Sequence, residues 1–492
     1  MPKTKMKDMV VLLPGIMGSV LEKDGKPVWD TRIQALLTAV KSLRDGSPLE
    51  HLKLAGDDLK GGDIGDGIIA TRLMPKVIVP IPKLPKSGGY SVILDKIAEE
   101  FDNVLPASKH ETANLFEFPY DWRRDNRVSA HLLEKFVGER LKRWRESSKG
   151  AADAKVILIA HSMGGLVARY YLEVLGGWQD CKALITFGTP HRGAPSALEM
   201  LVNGKMKLGF TFDLTEVISS FTSIYQLLPI YEMVHVNGDW KRVAEINIPG
   251  IDRKRAEDAL AFHRTIEEEQ KINSEEKLYQ GKYQTMPFFG IQQSTFQSAD
   301  LSNGTLTLSS KLPPAIERIV GKNYGDGTVP HFSAVPIEFE KPPTQNSLSQ
   351  THGFLQSHPK SLDDLCEFIA TLEGQNWSAI RDPETNKDEE EPLAISLSNL
   401  DDVYTADEPV ELIARLTKSN VEHKGFKAII TPIQEDGSVK ESLEIKYAFH
   451  QQNEHWVLTI PKLEPGLYQV EVRTGKTIRK LNPVHDLFQV IG

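Results

Sequence analysis

The chain has only two cysteines in 492 residues, Cys181 and Cys366. Each sits among apolar neighbours, which predicts two reduced core thiols rather than a disulfide framework. No spacing of Cys and His fits a metal site, and no cofactor is expected. No apolar run approaches the roughly 20 residues needed to span a bilayer. Charge of neither sign dominates. The net charge is -9, spread along a chain with 25% charged residues. That argues against nucleic-acid binding and against a global pull toward anionic membranes. The basic start Met1 to Lys7 runs into the short strand Met9 to Leu13, which Pro14-Gly15 interrupts. A signal peptide would continue there, so a cytoplasmic protein is expected.

What the chain does have is Ala160-His161-Ser162-Met163-Gly164. The run Val156 to Ile159 before it reads as a buried parallel strand. Leu166 to Leu172 after it has helical periodicity. Strand, small-x-Ser-x-Gly, helix is the pattern of a nucleophile elbow. The turn is tight enough that positions two before and two after the serine must be small, here Ala160 and Gly164. The bland alternative is a serine in an ordinary strand-to-helix turn.

Residues 1 to about 195 alternate strands and helices, which predicts a parallel α/β sheet. Ser91–Phe101 and Val128–Glu146 read as helices, and Leu115–Phe118 and Ala183–Phe187 as strands. A long loop is expected from the end of the first strand to about Lys86. Residues from about 195 to 282 carry apolar clusters, among them Phe210, Phe212 and Phe221–Val234, with no clear strand. They are expected to form an inserted helical cap. The sheet resumes at Pro287–Ile291. The hydrolase-like unit is placed at 1–375. Residues 376–392 form an acidic linker containing Asp388-Glu389-Glu390-Glu391, and 393–492 show about seven short strands. That count predicts an Ig-like β-sandwich. The linker suggests that the first unit folds and works without the second.

A serine nucleophile needs a base, and the base an orienting acid, in the chain order Ser, acid, His on an α/β-hydrolase sheet. Gly325-Asp326-Gly327-Thr328-Val329-Pro330 fits a loop after a late strand, so Asp326 is the candidate acid. An Asp-Gly turn alone would be unremarkable. His331, His352 and His358 follow it. His331 is too close to Asp326, and His358 precedes Pro359 in a capping loop. His352, followed by Gly353, is the favoured base. The oxyanion needs two backbone donors. Met163, directly after the serine, supplies one. Ile16, in the glycine-containing loop after the first strand, is chosen for the other.

Together these pieces resemble the lecithin:cholesterol acyltransferase family, which includes lysosomal phospholipase and bacterial members. Val11 to Ser19 looks like the family's first strand and oxyanion loop. Pro119-Tyr120-Asp121-Trp122-Arg123 is similar to a more specific family signature. Ala160 to Gly165 resembles the elbow, Thr189-Pro190 with Gly193-Ala194 the next loop, and Ser223 to Pro229 a cap segment. Gly325 to Pro330 and His352-Gly353 with Leu355-Gln356 resemble the acid and histidine loops. The resemblance covers about residues 9 to 372. It implies a serine-dependent lipid acyl hydrolase or O-acyltransferase with a lipid or other ester as substrate. It is also compatible with transient contact between the cap and a membrane surface. The sequence shows no secretion signal, lacks the cysteines that staple the lid of secreted animal members and shows no strong surface feature for lipoprotein docking, which together argue against cholesterol and plasma lipoproteins. Two other readings stand beside it. One is a general carboxylesterase or amide hydrolase. The other is a catalytically silent binding protein whose C-terminal strands contact an unknown partner, which the complete set Ser162, Asp326 and His352 disfavours.

Overall fold

A computed structural model describes residues 3–30, 50–59, 62–74, 89–203, 205–207, 211–213, 215–279, 283–320, 325–339, 346–374, 393–400, 403–418, 425–433, 443–452, 455–475 and 481–491. Its centre is a six-stranded sheet. In chain order the strands are β1 (Met9–Leu13), β2 (Leu115–Glu117), β3 (Val156–His161), β4 (Cys181–Phe187), β5 (Gln284–Gly290) and β6 (Ser347–Leu348). Their spatial order is β6-β5-β4-β3-β1-β2, and every neighbouring pair is parallel. Every residue of β1, β3 and β4 is buried. This accounts for the unbroken apolar runs, because a sheet covered by helices on both faces has no wet side.

The helices that cover it include α1 (Ser91–Glu100), α2 (Asn126–Glu146), α3 (Gly164–Glu173), α4 (Arg253–Glu275) and α5 (Pro359–Gly374). Helix α2 starts where the Asp125 carboxylate accepts from the Arg127 N–H, an N-cap worth about 1 kcal/mol. It buries Ala130, Leu133, Val137, Leu141 and Trp144, a stripe at helical spacing. Strand order reverses between β1 and β3, with Leu13 opposite Ala160. The loops leaving these two strands therefore share one crevice at the carboxyl edge of the sheet. This is an α/β-hydrolase sheet.

Two expectations change. The stretch after β1 is not all loop: Ser19–Lys23, Lys26–Trp29 and Ile68–Leu73 pair as a small antiparallel sheet. The inserted cap is not purely helical. Lys205–Lys207 pairs with Thr211–Asp213. Val234–Val236 and Asp239–Lys241 join Ser298–Ser302 and Thr305–Ser309 in a four-stranded sheet. Runs of three residues are too short to show a two-residue period, so the sequence hid them. Phe210 and the side chain of Phe212 lie outside the described residues, as does the whole acidic stretch 376–392.

The C-terminal residues form two sheets. One orders Ile395–Ser398 (β7), Val410–Leu416, His455–Ile460 and His450–Gln452. The other orders Val403–Thr405, Val484–Ile491 (β8), Gly466–Thr474, Phe426–Ile433 and Ile445–Ala448. They enclose their own core, including Leu412, Ile430, Ile460, Val472 and Phe488. These sheets are not detached from the rest. Phe354, two residues after His352, packs with Ile433, Leu467 and Leu487. Cys181 and Cys366 are both buried free thiols. Among the described residues no helix is long and apolar enough to cross a membrane.

Candidate active site

Ser162 follows β3 with a φ of 51°, a left-handed backbone that costs a non-glycine residue about 1–2 kcal/mol. The surroundings enforce it. Its N–H donates to the Phe187 carbonyl at 2.8 Å. Two glycines make the turn possible. A Cβ on Gly164 would overlap the Pro14 carbonyl oxygen, and one on Gly15 would come within 2.9 Å of the Ser162 Cβ. Ala160 is fully buried in β3, so a methyl group fits before the serine, where a Cβ at Gly164 would not.

The Ser162 Oγ–H donates to His352 Nε2 at 2.9 Å, and the His352 Nδ1–H donates to Asp326 Oδ2 at 2.7 Å. The second carboxylate oxygen accepts from the N–H groups of Thr328 (2.9 Å) and Val329 (2.7 Å). The His352 N–H donates to the Asp326 carbonyl at 2.8 Å, which ties the two loops together. All three side chains are buried. A carboxylate in that position selects the imidazole tautomer with Nε2 free to accept, the state a base needs.

The loop Pro14–Ser19 lies against the serine. Among the described residues neither the Ile16 nor the Met163 N–H donates to a backbone carbonyl. Met163 stands at the N-terminus of α3, where negative charge is favoured. Gly15 is fastened from the other side. Its N–H donates to the Tyr90 hydroxyl at 3.0 Å, and that hydroxyl donates to His161 Nδ1 at 3.0 Å. His161 Nε2–H reaches the His352 carbonyl at 3.3 Å. Burial, with His352 nearby, pushes the His161 pKa down to about 3, so it is a neutral connector between the oxyanion loop and the histidine loop.

The Pro119–Arg123 signature clasps the same loop. Tyr120 Oη–H donates to the Pro14 carbonyl at 2.8 Å, and Trp122 Nε1–H to the Ser19 carbonyl at 3.1 Å. The buried Arg123 pairs with Asp121 and Asp66. Ser223 and Gln226 of the cap bond to Trp122 and to the N-terminus of α2, which seats the cap on this clasp.

Of the other histidines, His331 lies half-buried against Phe289, their ring centroids 4.9 Å apart. Burial lowers its pKa to about 4. His358 stands at the start of α5, its pKa lowered by burial. The sequence reading missed several residues that shape the site. Gly188 ends β4 with a φ of 60°, and a Cβ there would come within 2.9 Å of His352 Nδ1 and 3.1 Å of Asp326 Oδ2. Gly290 ends β5, where a Cβ would overlap that of Asp326. A glycine closing each strand was a usable signal. Tyr90, Gln293, Gln350 and His485 carried none, because their partners are distant in sequence. Among the described residues no group of three or more His, Cys, Asp or Glu is placed to hold a metal ion.

The sheet and the turn that carries Ser162 thus have the α/β-hydrolase fold. Residues 90–304 match the model of the lecithin:cholesterol acyltransferase family. A curated relative, the phospholipase A(1) LCAT3 of Arabidopsis thaliana, is 33% identical over 148 residues, covering 27% of this chain and 30% of the relative. The chain therefore matches less than a third of that relative's length. Among solved structures, a chain of the Tle4–Tli4 complex is similar with a TM-score of 0.48 at 14% identity, covering 75% of this chain and 98% of that one. The mature Bacillus licheniformis lipase BlEst2 is similar with a TM-score of 0.33 at 11% identity, covering 75% and 92%.

Proposed function

We propose that this protein is a serine-dependent lipid acyl hydrolase or O-acyltransferase that works through an acyl-enzyme on Ser162. The observation that carries the reading is the continuous hydrogen-bonded line from Ser162 through His352 to Asp326. Ser162 Oγ attacks the ester carbonyl while His352 Nε2 takes its proton, and Asp326 stabilises the imidazolium. The tetrahedral oxygen is held by the Ile16 and Met163 N–H groups. Collapse expels the alcohol, which takes the proton back from His352. Water or a second hydroxyl, deprotonated by the same histidine, then opens the acyl-enzyme.

The lipid half of the proposal is supported by the family match and by the relative named a phospholipase A(1). The cap supports it too, since its buried Phe221, Ile224, Leu227 and Leu228 lie on the element seated over the Trp122 clasp. The test is labelling by a fluorophosphonate probe, followed by a panel of esters graded by acyl length with and without a competing alcohol. Labelling lost in Ser162→Ala, with turnover rising with chain length, is the expected result. Absence of labelling in the wild type would overturn the reading.

A further inference from the structure

We propose that the C-terminal β-sheets are a positioning element of the active site, holding His352 and Asp326 from outside the hydrolase fold. The inference rests on the acyl-enzyme reading above. Two buried glutamines carry it. Gln350 lies two residues before His352 and is 1% exposed. Its Oε1 accepts from the Thr351 N–H and from the His485 N–H, both at 3.0 Å. Its Nε2–H donates to His485 Nδ1 at 3.2 Å. Thr351 Oγ1–H donates to the His485 carbonyl at 2.7 Å, and the rings of Phe354 and His485 stack with centroids 5.6 Å apart. His485 belongs to β8. The residues on either side of His352 are thus fastened to one position of a C-terminal strand.

Gln293 does the same for the acid. It is 3% exposed. Its Nε2–H donates to the Ile395 carbonyl at 3.1 Å and its Oε1 accepts from the Leu397 N–H at 3.0 Å, both in β7. Its own N–H donates to the carbonyl of Gly325, the residue before Asp326, at 3.0 Å. A surface built only to join two domains has no reason to place its buried amides beside both His352 and Asp326. Buried amides keep their geometry because leaving a donor or acceptor unpaired is costly. Here they transmit that geometry to the imidazole and the carboxylate. Gln293, Gln350 and His485 act as positioning residues, with no contact to the substrate.

The experiment uses the full chain with Gln350→Ala, Gln293→Ala and His485→Ala, and Gln350→Glu as the conservative variant. The readouts are kcat and KM on a soluble short-chain ester, the rate of fluorophosphonate labelling, and far-UV circular dichroism. Misplacing a catalytic group by about 1 Å costs up to about 100-fold, so kcat should fall about 10- to 100-fold. KM should stay within about twofold, because ground-state binding is untouched. Labelling should slow by the same factor as kcat. Gln350→Glu, which keeps the acceptor for Thr351 and His485 but loses the donor to His485 Nδ1, should recover part of it. Wild-type kcat in folded variants would overturn the proposal. If Gln350→Ala does not fold, His485→Gln decides by the same readouts. A wild type that fails to label sinks the acyl-enzyme reading and this proposal together. A wild type that labels, with variants indistinguishable from it, sinks this proposal alone.

Discussion

Ser162 sits on a turn whose anchors are its neighbours in the central sheet: β3, the Phe187 carbonyl and the loop after β1. His352 sits on a loop that the central sheet touches on one side only. On the other side, Thr351 beside it bonds to His485, 134 residues further along the chain. The serine's geometry is a property of local backbone and close packing. The geometry of the base and the acid depends on a second core folding and docking. Damage to the first should abolish chemistry outright. Damage to the second should detune it.

The largest effects fall on the line of proton transfer itself. Ser162→Ala and His352→Ala should each lower turnover by about 10⁴-fold or more, and the double variant should lose no more than the worse single. Asp326→Asn should come close to that, about 10⁴-fold, because the amide favours the wrong imidazole tautomer. His331→Ala and His358→Ala should keep most activity. Initial rates on a soluble ester decide all of these. A dead His331 variant beside an active His352 variant would reverse the choice of base.

Next come removal of the C-terminal sheets and the crowding of Gly188. A chain ending at Gly374 exposes Phe354 and leaves Gln350 and Gln293 without their C-terminal partners. Its turnover should fall at least as far as in the glutamine variants, even where circular dichroism still reports a folded sheet. Full activity in that truncation would mean that the first 374 residues are self-sufficient, as the acidic linker suggested. Gly188→Ala places a methyl group against the imidazole and forces alanine into a positive φ. About 100-fold in kcat and about 1–2 kcal/mol in stability should be lost. Normal kinetics there would show that the His352 loop has slack the structure does not display.

The elbow and the sheet were legible in sequence because their determinants are contiguous. An apolar strand, a small-x-Ser-x-Gly turn and a periodic helix occupy only residues 156–173. Asp326 and His352 were legible through their order and flanking glycines, and the structure brings both to Ser162. The fastenings were not legible. Gln350 and Gln293 look like ordinary loop glutamines until β7 and β8 are in place, and nothing in residues 376–392 announced docking across them. The cap strands escaped for a different reason, being pairs of three-residue runs whose partners are set by tertiary contact.

A smaller effect tests the oxyanion side of the comparison. Tyr90→Phe removes the hydroxyl that accepts from Gly15 and donates to His161. One net hydrogen bond is worth about 1 kcal/mol, so a drop of about five- to tenfold in kcat is expected, with KM unchanged. A loss above about 100-fold would mean the Tyr90–His161 line is as critical as the triad geometry.

An effect on stability rather than on rate separates the two regions by pH. Burial, with Arg473 nearby, pushes the His485 pKa down to about 4. An unfolded histidine titrates near 6.5, so between these values the unfolded chain binds the proton and the folded chain does not. The contribution of neutral His485 is therefore fully present above pH 6.5, is lost as pH falls toward 4, and changes no further below that. Its size is on the order of 2 kcal/mol once partial exposure is allowed for. His161, lowered to about 3, adds a similar slope that continues below pH 4. His485→Gln should flatten the slope between pH 6.5 and 4 while leaving the part below 4 in place. Denaturant melts at half-unit pH steps read both. An unchanged slope in His485→Gln would mean that water already reaches that ring and that other buried histidines, His331 among them, carry the slope.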